Sequence, residues 1–211
     1  MTIVGRLTTG CSGRRGAPPL NRSDRQRDMR ALRGTSLKRF HRDFGRKHPI
    51  QHDIVVVLEN VEYPVNVGSI FRIADAARIE ELILTGITPT PPNPTVVKVG
   101  RNKHSYVRWR YEKEANKPIA ELKDQGYRVV ALEITEGASP YYETDWPAKI
   151  CLVIGHEDQS ITRATLALCD DVVFIPMWGK GLSLNVHVAL AVAVFHIRYL
   201  GLVRDQSDFS G

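Results

Sequence analysis

Apolar runs alternate with amphipathic segments over residues 53–203, and this alternation predicts the fold class. The β-branched run IVVVLENV (54–61) is typical of a strand that is buried on both faces. Four further apolar runs predict strands at 81–86, 127–134, 149–154 and 171–177. Because the intervening segments have helical spacing, we expect an α/β fold with a largely parallel sheet flanked by helices.

Helical spacing is clearest directly after the first predicted strand. Asn66 is a suitable N-cap for a helix there. The apolar residues at helical spacing are Val67, Ile70, Phe71, Ala74 and Ala77. Shorter helices are expected at 119–125, with Gly126 as the C-cap, and at 162–169. A long apolar helix over 185–200 is expected to close the domain.

Positive charge is concentrated at the N-terminus. Residues 1–50 contain 13 Lys and Arg against 3 Asp and Glu, a net charge of +10, whereas residues 51–211 have a net charge of −4. We therefore expect a basic N-terminal extension (1–50), partly disordered and with a basic helix within 21–47, followed by a compact domain (51–211). A basic arm favours a nucleic acid partner, because cations that neutralise phosphates release counterions. A tail that only aids solubility is the alternative.

The cysteines and the hydropathy pattern favour a cytoplasmic protein without a membrane partner. The chain has three cysteines, Cys11, Cys151 and Cys169. They lack metal-ligand and CxxC spacing, which fits buried thiols in a reducing compartment. The first residues lack the long apolar region of a secretory signal. The longest apolar run, Val188–Phe195, is too short to span a bilayer.

Polar residues cluster at three predicted strand ends. They lie in the segments ENVEYPVNVGSIFRIADA (59–76), VIGHEDQS (153–160) and IPMWGKGLSLN (175–185). In a parallel sheet, ligands bind outside the C-terminal ends of the strands, so these clusters form the candidate site. Neither a Walker lysine motif nor a dinucleotide fingerprint follows the first strand, which argues against the common phosphate-binding loops.

Each cluster also has a purely structural interpretation. Arg72 could form a surface ion pair with Asp75, or it could hold a phosphate through two parallel hydrogen bonds. Gly155 would let the backbone approach a ligand, although the acidic residues after it also suit a helix N-terminus. Ser183 and Asn185 could cap the next helix or contact a ligand. Taken singly, the clusters leave these alternatives open.

Taken together, the three clusters resemble the three motifs of the SpoU (TrmH-like) branch of the SPOUT RNA methyltransferases. The motifs are NVGSIFRIADA (66–76), LVIGHE (152–157), and IPM (175–177) followed by SLNV (183–186). The resemblance covers roughly residues 53–203. It implies a SPOUT-type α/β fold with a C-terminal deep trefoil knot, a homodimer, and S-adenosylmethionine bound in the knot. The implied reaction is methyl transfer to a ribose 2′-hydroxyl of tRNA or rRNA, without a metal.

The resemblance also implies roles for individual residues. Arg72 matches the family's catalytic arginine, which helps to deprotonate the hydroxyl. Because a guanidinium is a weak base at neutral pH, a substrate phosphate or close positioning must assist it. The other residues matching the catalytic site are Asn66, Glu157, Ser183 and Asn185. The residues matching positions that hold the cofactor, largely through backbone groups, are Leu132, Gly155, Ile175 and Leu184.

Three residues depart from the family pattern. His156 stands where the family commonly has Asn or Gln, Asp158 replaces a frequent glycine, and Arg78 occupies a position that is often aromatic or glycine. These departures bear on substrate choice and activity. A catalytically silent RNA-binding protein with the same fold is therefore the alternative to an enzyme, and an unrelated nucleotide-binding α/β protein is a weaker third hypothesis. Retention of the five catalytic-site residues favours the enzyme.

Overall fold

A computed structural model of the chain describes residues 31–207, and the chain divides into two units between Lys47 and His48. The described part of the first unit contains helix α1 (Gly34–Lys47), which agrees with the helix predicted within 21–47. None of its residues is buried, and Leu37, Phe40 and Phe44 form an exposed apolar stripe at helical spacing. The expected disorder of residues 1–20, and Cys11, lie outside the described residues.

The second unit is built on a parallel sheet of seven strands in the order β3-β2-β1-β6-β4-β7-β5. Its strands are β1 (Asp53–Glu59), β2 (Glu81–Thr85), β3 (Trp109–Glu112), β4 (Arg128–Leu132), β5 (Ser139–Pro140), β6 (Lys149–Ile154) and β7 (Asp171–Phe174). The sheet confirms the predicted α/β class with parallel strands.

Helices cover both faces of this sheet. They are α2 (Pro64–Ala77), α3 (Pro94–Gly100), a 3₁₀ helix (Lys103–Ser105), α4 (Asn116–Asp124), α5 (Arg163–Leu166) and α6 (Val186–Ser207). Apolar residues of α2, α3 and α6 pack in one buried cluster, and those of α4 and α5 pack in the other. Strand β1 serves both clusters, with Val56 and Leu58 on one face and Val55 and Val57 on the other. This explains its continuous apolar run.

Two glycines allow α2 and α3 to pack closely. A Cβ on Gly68 would lie 2.8 Å from the Cβ of Val99 and 3.0 Å from the backbone nitrogen of Gly100. A Cβ on Gly100 would in turn lie 3.3 Å from the carbonyl oxygen of Gly68. The backbones of the two helices therefore approach each other at this crossing, and α3 is held against the middle of α2.

Several predicted elements differ from those observed. Asn66 is not an N-cap, because α2 begins at Pro64 and Tyr63 occupies the cap position. The predicted strand 171–177 ends at Phe174, and the predicted helix 162–169 is a single turn. Helix α3, the 3₁₀ helix, β3 and β5 were not predicted. The start of α3 is fixed by Asn93, whose side chain accepts hydrogen bonds from the backbone N–H groups of Thr95 and Val96.

Helix α6 is longer than the apolar run from which it was predicted. Its window Val186–Val203 has a mean hydropathy of 1.8 and meets, by length and composition alone, the requirement for crossing a membrane. This window of 18 residues extends well beyond the run Val188–Phe195 on which the expectation of a span too short for a bilayer was based. Core helices of soluble proteins share this length and composition, and 28% of the window is buried.

Arg198 fastens α6 to the C-terminal end of α2. Its Nε donates to the carbonyl oxygen of Ala77 at 2.8 Å, and its Nη2 donates to that of Arg78 at 2.9 Å. Its Nη1 donates to the carbonyl oxygen of His52 at 2.5 Å. Arg78 has a left-handed backbone (φ 54°) as the residue that ends α2, which is where helices commonly place glycine. One guanidinium therefore satisfies carbonyl groups at the end of the helix.

We predict that Arg198→Ala lowers the free energy of unfolding by about 2–3 kcal/mol, because three carbonyl groups lose a charged donor. Urea unfolding followed by circular dichroism measures this change. The control is Arg163→Ala, which removes an exposed arginine from α5 and should stay within about 0.5 kcal/mol of wild type. Equal unfolding midpoints for the two variants would contradict this role of Arg198.

Candidate active site

A cavity of about 370 Å³ lies at the C-terminal ends of the central strands. Its walls come from the first turn of α2 and from the loops that follow β4, β6 and β7. It is lined by all four residues expected to hold the cofactor, Leu132, Gly155, Ile175 and Leu184. It is also lined by four of the five expected catalytic residues, Asn66, Glu157, Ser183 and Asn185. Arg72 does not line it.

Gly155 permits the tight turn that forms one wall of the cavity. A Cβ at this position would lie 2.6 Å from the backbone nitrogen of Ile161 and 2.7 Å from the carbonyl carbon of Ser160. The chain returns this closely because His156 and Ser160 pair across the turn, where Ser160 N–H donates to the His156 carbonyl at 3.0 Å. Any larger residue at position 155 would force the turn away from the end of β6.

The Glu157 carboxylate binds the beginning of α2. It accepts hydrogen bonds from the backbone N–H groups of Glu62 at 2.9 Å and Tyr63 at 3.3 Å, and from the Nδ2 of Asn66 at 2.5 Å. Burial acts to raise the pKa of Glu157, but these hydrogen bonds outweigh it and hold the pKa below its ordinary value. Glu157 is therefore an ionised carboxylate at neutral pH, placed at a helix N-terminus.

The buried side chain of Asn66, with 4% of the residue exposed, connects Glu157 to His187. Its Nδ2 donates to Glu157, and its Oδ1 lies 3.1 Å from the Nδ1 of His187. An amide oxygen only accepts, so the proton on His187 is on Nδ1 and Nε2 carries a lone pair. Burial lowers the pKa of His187, which keeps the ring neutral at neutral pH. His187 is not among the site residues predicted from the sequence, although a histidine opening an apolar helix beside a motif is a usable signal.

Asn185 caps α6 and also lines the cavity. Its Oδ1 accepts a hydrogen bond from the His187 N–H at 3.2 Å, and its carbonyl oxygen accepts from Val188 and Ala189. The capping interpretation is therefore confirmed, and it is compatible with a place in the cavity wall. Ser183 lies in the exposed part of the same loop.

Arg72 lies on the exposed side of α2, nearly two turns beyond Asn66. The interpretation of Arg72 as the ion-pair partner of Asp75 is wrong, because Asp75 pairs with Lys103 at 2.6 Å. Among the described residues 31–207, Arg72 has no hydrogen bond or ion pair. Its guanidinium is therefore available to a ligand or to another macromolecule.

His156, a departure from the family pattern, has a structural role. Its Nδ1 accepts hydrogen bonds from the backbone N–H groups of Asp158 at 3.0 Å and Gln159 at 3.3 Å. The ring proton is therefore on Nε2, which faces the carboxylate of Glu62 at 3.3 Å. Ligand atoms of Glu62, His156 and Asp158 lie within 4.8 Å of one another, as a metal ion would require. This tautomer leaves the imidazole no lone pair for a cation, so the cluster is a hydrogen-bonded turn.

Residues 53–195 match the model of the SpoU rRNA Methylase family, and the chain belongs to this family. It is 32% identical over 145 residues to the tRNA (guanosine(18)-2′-O)-methyltransferase of Escherichia coli (strain K12), covering 69% of this chain and 62% of the relative. It is 34% identical over 145 residues to the enzyme of the same name from Thermus thermophilus, covering 69% of this chain and 74% of that relative. The match thus spans less than two thirds of the length of the Escherichia coli relative.

Solved structures show the same fold. The crystal structure of the AdoMet-bound rRNA methyltransferase from Sinorhizobium meliloti superposes with a TM-score of 0.66 at 24% identity, covering 72% of this chain and 58% of that chain. The match to the family model over residues 53–195 confirms the family resemblance drawn from the three motifs.

We predict that Glu157→Gln destabilises the chain at neutral pH and that the difference from wild type shrinks in acid. A carboxylate with a depressed pKa stabilises the folded state above its ordinary pKa of 4.5, and this contribution is lost as the pH falls through the folded-state value. At pH 7 the free energy of unfolding should fall by about 1–3 kcal/mol. Urea unfolding at several pH values measures both effects.

The matched control is Glu114→Gln, which removes an exposed carboxylate from the loop before α4. Its unfolding curve should follow that of wild type at every pH. If the Glu157→Gln curve also ran parallel to wild type down to acid pH, Glu157 would not be the charged anchor of α2.

Proposed function

We propose that this chain uses S-adenosylmethionine to methylate a ribose 2′-hydroxyl of tRNA or rRNA. The observation that carries the proposal is the cavity in which the residues expected to hold the cofactor lie beside Asn66 and Glu157. Family membership supports the same reaction, since the two relatives are named tRNA 2′-O-methyltransferases and the family is named for rRNA methylation. A guanosine in a tRNA loop is the favoured target.

The cavity suits S-adenosylmethionine. Its volume falls within the range of small-molecule sites, roughly 300–1,000 Å³. Leu132, Gly155, Ile175 and Leu184 would hold the cofactor mainly through backbone groups, and the missing side chain at Gly155 keeps that wall tight. The bound cofactor supplies a methyl group activated by a sulfonium. Its transfer requires alignment with the hydroxyl oxygen and no metal.

The position of Arg72 outside its own cavity supports a homodimer. In this proposal a second copy of the chain brings its Arg72 to the cavity, where the guanidinium orients the ribose and favours loss of the 2′-hydroxyl proton. A guanidinium remains protonated at neutral pH, so a substrate phosphate or close positioning assists this step. An apolar face of α6 is available for the dimer contact, and its members are exposed by 39–59%: Val188, Phe195, Tyr199 and Val203.

The C-terminal trefoil knot of the family is part of the same proposal. Strand β7 lies between β4 and β5 in the sheet, although it follows both in sequence. The segment after β7 then lines the cavity together with the loops that follow β4 and β6. A knot requires the C-terminal part of the chain to pass through a loop formed by an earlier part. The position of β7 between two earlier strands is compatible with such a path.

The basic extension, residues 1–50, is proposed to hold the RNA through phosphate contacts, and the reaction is assigned to the cytoplasm. The net charge of +10 supports the first assignment. Helix α1 contributes five of these positive residues against one negative residue, Asp43. Phosphate contacts of this kind contribute affinity but do not distinguish one base from another. In this proposal the second unit therefore selects the target nucleotide.

We predict that the purified chain transfers labelled methyl groups from S-adenosylmethionine to unmodified tRNA or rRNA, and that nucleoside mapping finds a 2′-O-methylated ribose. Arg72→Ala should lower kcat at least 100-fold while leaving the affinity for S-adenosylhomocysteine within about twofold, because in this proposal the guanidinium contacts the ribose and not the cofactor. Lys117→Ala, which alters an exposed lysine of α4, is the control and should keep full activity.

Mixing two inactive variants tests the contribution of a second copy. Leu184→Trp should fill the cavity and abolish cofactor binding. If Arg72 acts across a homodimer, an equimolar mixture of Arg72→Ala and Leu184→Trp chains recovers about a quarter of wild-type activity, since half of the dimers hold one intact site. No recovery would mean that both residues must act in one chain. No methyl incorporation by wild type into any RNA would favour the silent RNA-binding protein.

We predict that removing the charge of α1 weakens RNA binding and flattens its salt dependence. The variant replaces by Gln the residues Lys38, Arg39, Arg42, Arg46 and Lys47. Each lost phosphate contact should reduce the slope of log K against log salt by about 0.7–0.9. The control variant Lys117→Gln, Arg163→Gln alters exposed cations on α4 and α5. An unchanged slope in the α1 variant would mean that this helix does not contact phosphates.

A further inference from the structure

A cationic surface lies on α2, the helix whose first turn lines the cavity, and on α3 and the 3₁₀ helix that pack against it. We call it the α2–α3 surface, and its members are Arg72, Lys98, Arg101, Lys103 and Tyr106. Arg72, Lys98 and Arg101 are exposed, and 79% of Tyr106 is exposed. The mechanism proposed above uses only Arg72, so four of these five residues have no assigned role.

Packing holds the segment that carries these side chains against α2, the helix of Arg72. The crossing of α2 and α3 at Gly68 and Gly100 brings Lys98 and Arg101 alongside the middle of α2. On the other side, Lys103 pairs at 2.6 Å with Asp75, which lies one helical turn beyond Arg72. The ring of His104 contacts that of Phe71 with centroids 6.4 Å apart, so the 3₁₀ helix lies against α2. Residues 94–106 are therefore packed against the helix that carries the expected catalytic arginine.

The charge of the α2–α3 surface is local and unbalanced. In residues 64–77 and 94–106, Asp75 is the only acidic residue, and Lys103 neutralises it. The rest of the unit compensates for this charge, since residues 51–211 carry a net charge of −4. Three cations thus remain without a carboxylate partner among the described residues: Arg72, Lys98 and Arg101. Unpaired cations concentrated on a domain of net negative charge fit a polyanion.

Tyr106 narrows the class of polyanion. A ring exposed by 79% has little contact with its own chain, and the Lys103 ammonium lies 5.6 Å from its centroid. An exposed aromatic ring on a cationic segment provides a stacking platform for an unpaired base, and the phosphates of the same strand can contact the cations of that segment. An acidic protein would satisfy the cations without using the face of the ring, so these features together favour RNA.

We propose that the α2–α3 surface binds the RNA strand next to the target ribose, with Lys98 and Arg101 on phosphates and Tyr106 stacked on an unpaired base. This inference rests on the proposed function, and it names the part of the second unit that binds the RNA substrate. It also gives the segment of residues 98–106 a role that is separate from the cofactor cavity and from the basic N-terminal extension.

The experiment measures binding of the full chain to an unmodified tRNA transcript and to a short single-stranded RNA. Tyr106→Ala should raise the dissociation constant for both about 5- to 150-fold, whereas Tyr106→Phe keeps the ring and should stay within about twofold. The double variant Lys98→Gln, Arg101→Asn should reduce the salt slope by about 1.4–1.8, since two phosphate contacts are lost. Asparagine is chosen because Arg101 has a left-handed backbone (φ 49°).

The control is Lys117→Gln, whose side chain is 72% exposed on the opposite face of the sheet, and it should bind RNA as wild type does. Calorimetric binding of S-adenosylhomocysteine should be the same in all variants, which also shows that each is folded. If the Tyr106 and Lys98/Arg101 variants bind both RNAs like wild type while wild type methylates RNA, the surface inference fails and the proposed function stands. If wild type binds RNA and these variants do not, but no methyl transfer occurs, the surface is supported and the proposed function fails.

Discussion

The position of the cavity walls depends on one ionised carboxylate, that of Glu157. It accepts two backbone N–H groups at the start of α2 and the amide of Asn66, so the turn after β6 and the helix after β1 are held together. Asn66 extends this connection to His187 in the first turn of α6. Three segments far apart in sequence thus share one chain of hydrogen bonds, and displacement of any one of them would move the other two. A partly buried carboxylate that remains charged is well suited to this task, because charge-assisted hydrogen bonds are short and strong.

The fold could be predicted wherever burial extends along a whole element. Strand β1 is buried on both faces, so its sequence is an uninterrupted apolar run. The pattern failed between β2 and β3, where α3 has only seven residues and β3 only four, too few to establish a period. The sequence Asn93-Pro94 was nevertheless a usable signal there, since an N-cap residue followed by proline is a common helix start. Strand β5, with two residues, is defined by its pairing with β7 and has no pattern of its own.

Most residues of the candidate site could be predicted from the sequence, but the contacts between them could not. The motifs correctly indicated that residues from three segments meet in one place, although Asn66 and Glu157 are 91 positions apart. They did not indicate that Asn66 lies inside the helix rather than at its cap, because Pro64 sets the start two residues earlier. Nor did they show that Arg72 lies outside the cavity, since that depends on how far the loops after β4, β6 and β7 extend along α2. Lys103 could not be recognised as the partner of Asp75, because it belongs to a helix that the pattern did not predict.

The bridge formed by Asn66 restricts evolution at that position. Aspartate would set a second negative charge against Glu157 at hydrogen-bond distance. Leucine has a similar shape, but it would leave the partly buried Glu157 carboxylate and His187 imidazole without this hydrogen-bond partner. Serine is too short to reach both neighbours. Glutamine would add a methylene group at a buried position, since only 4% of Asn66 is exposed. Asparagine combines, in one planar group of the right length, an N–H donor for Glu157 and an oxygen acceptor for His187. We therefore expect no other standard residue to replace it here.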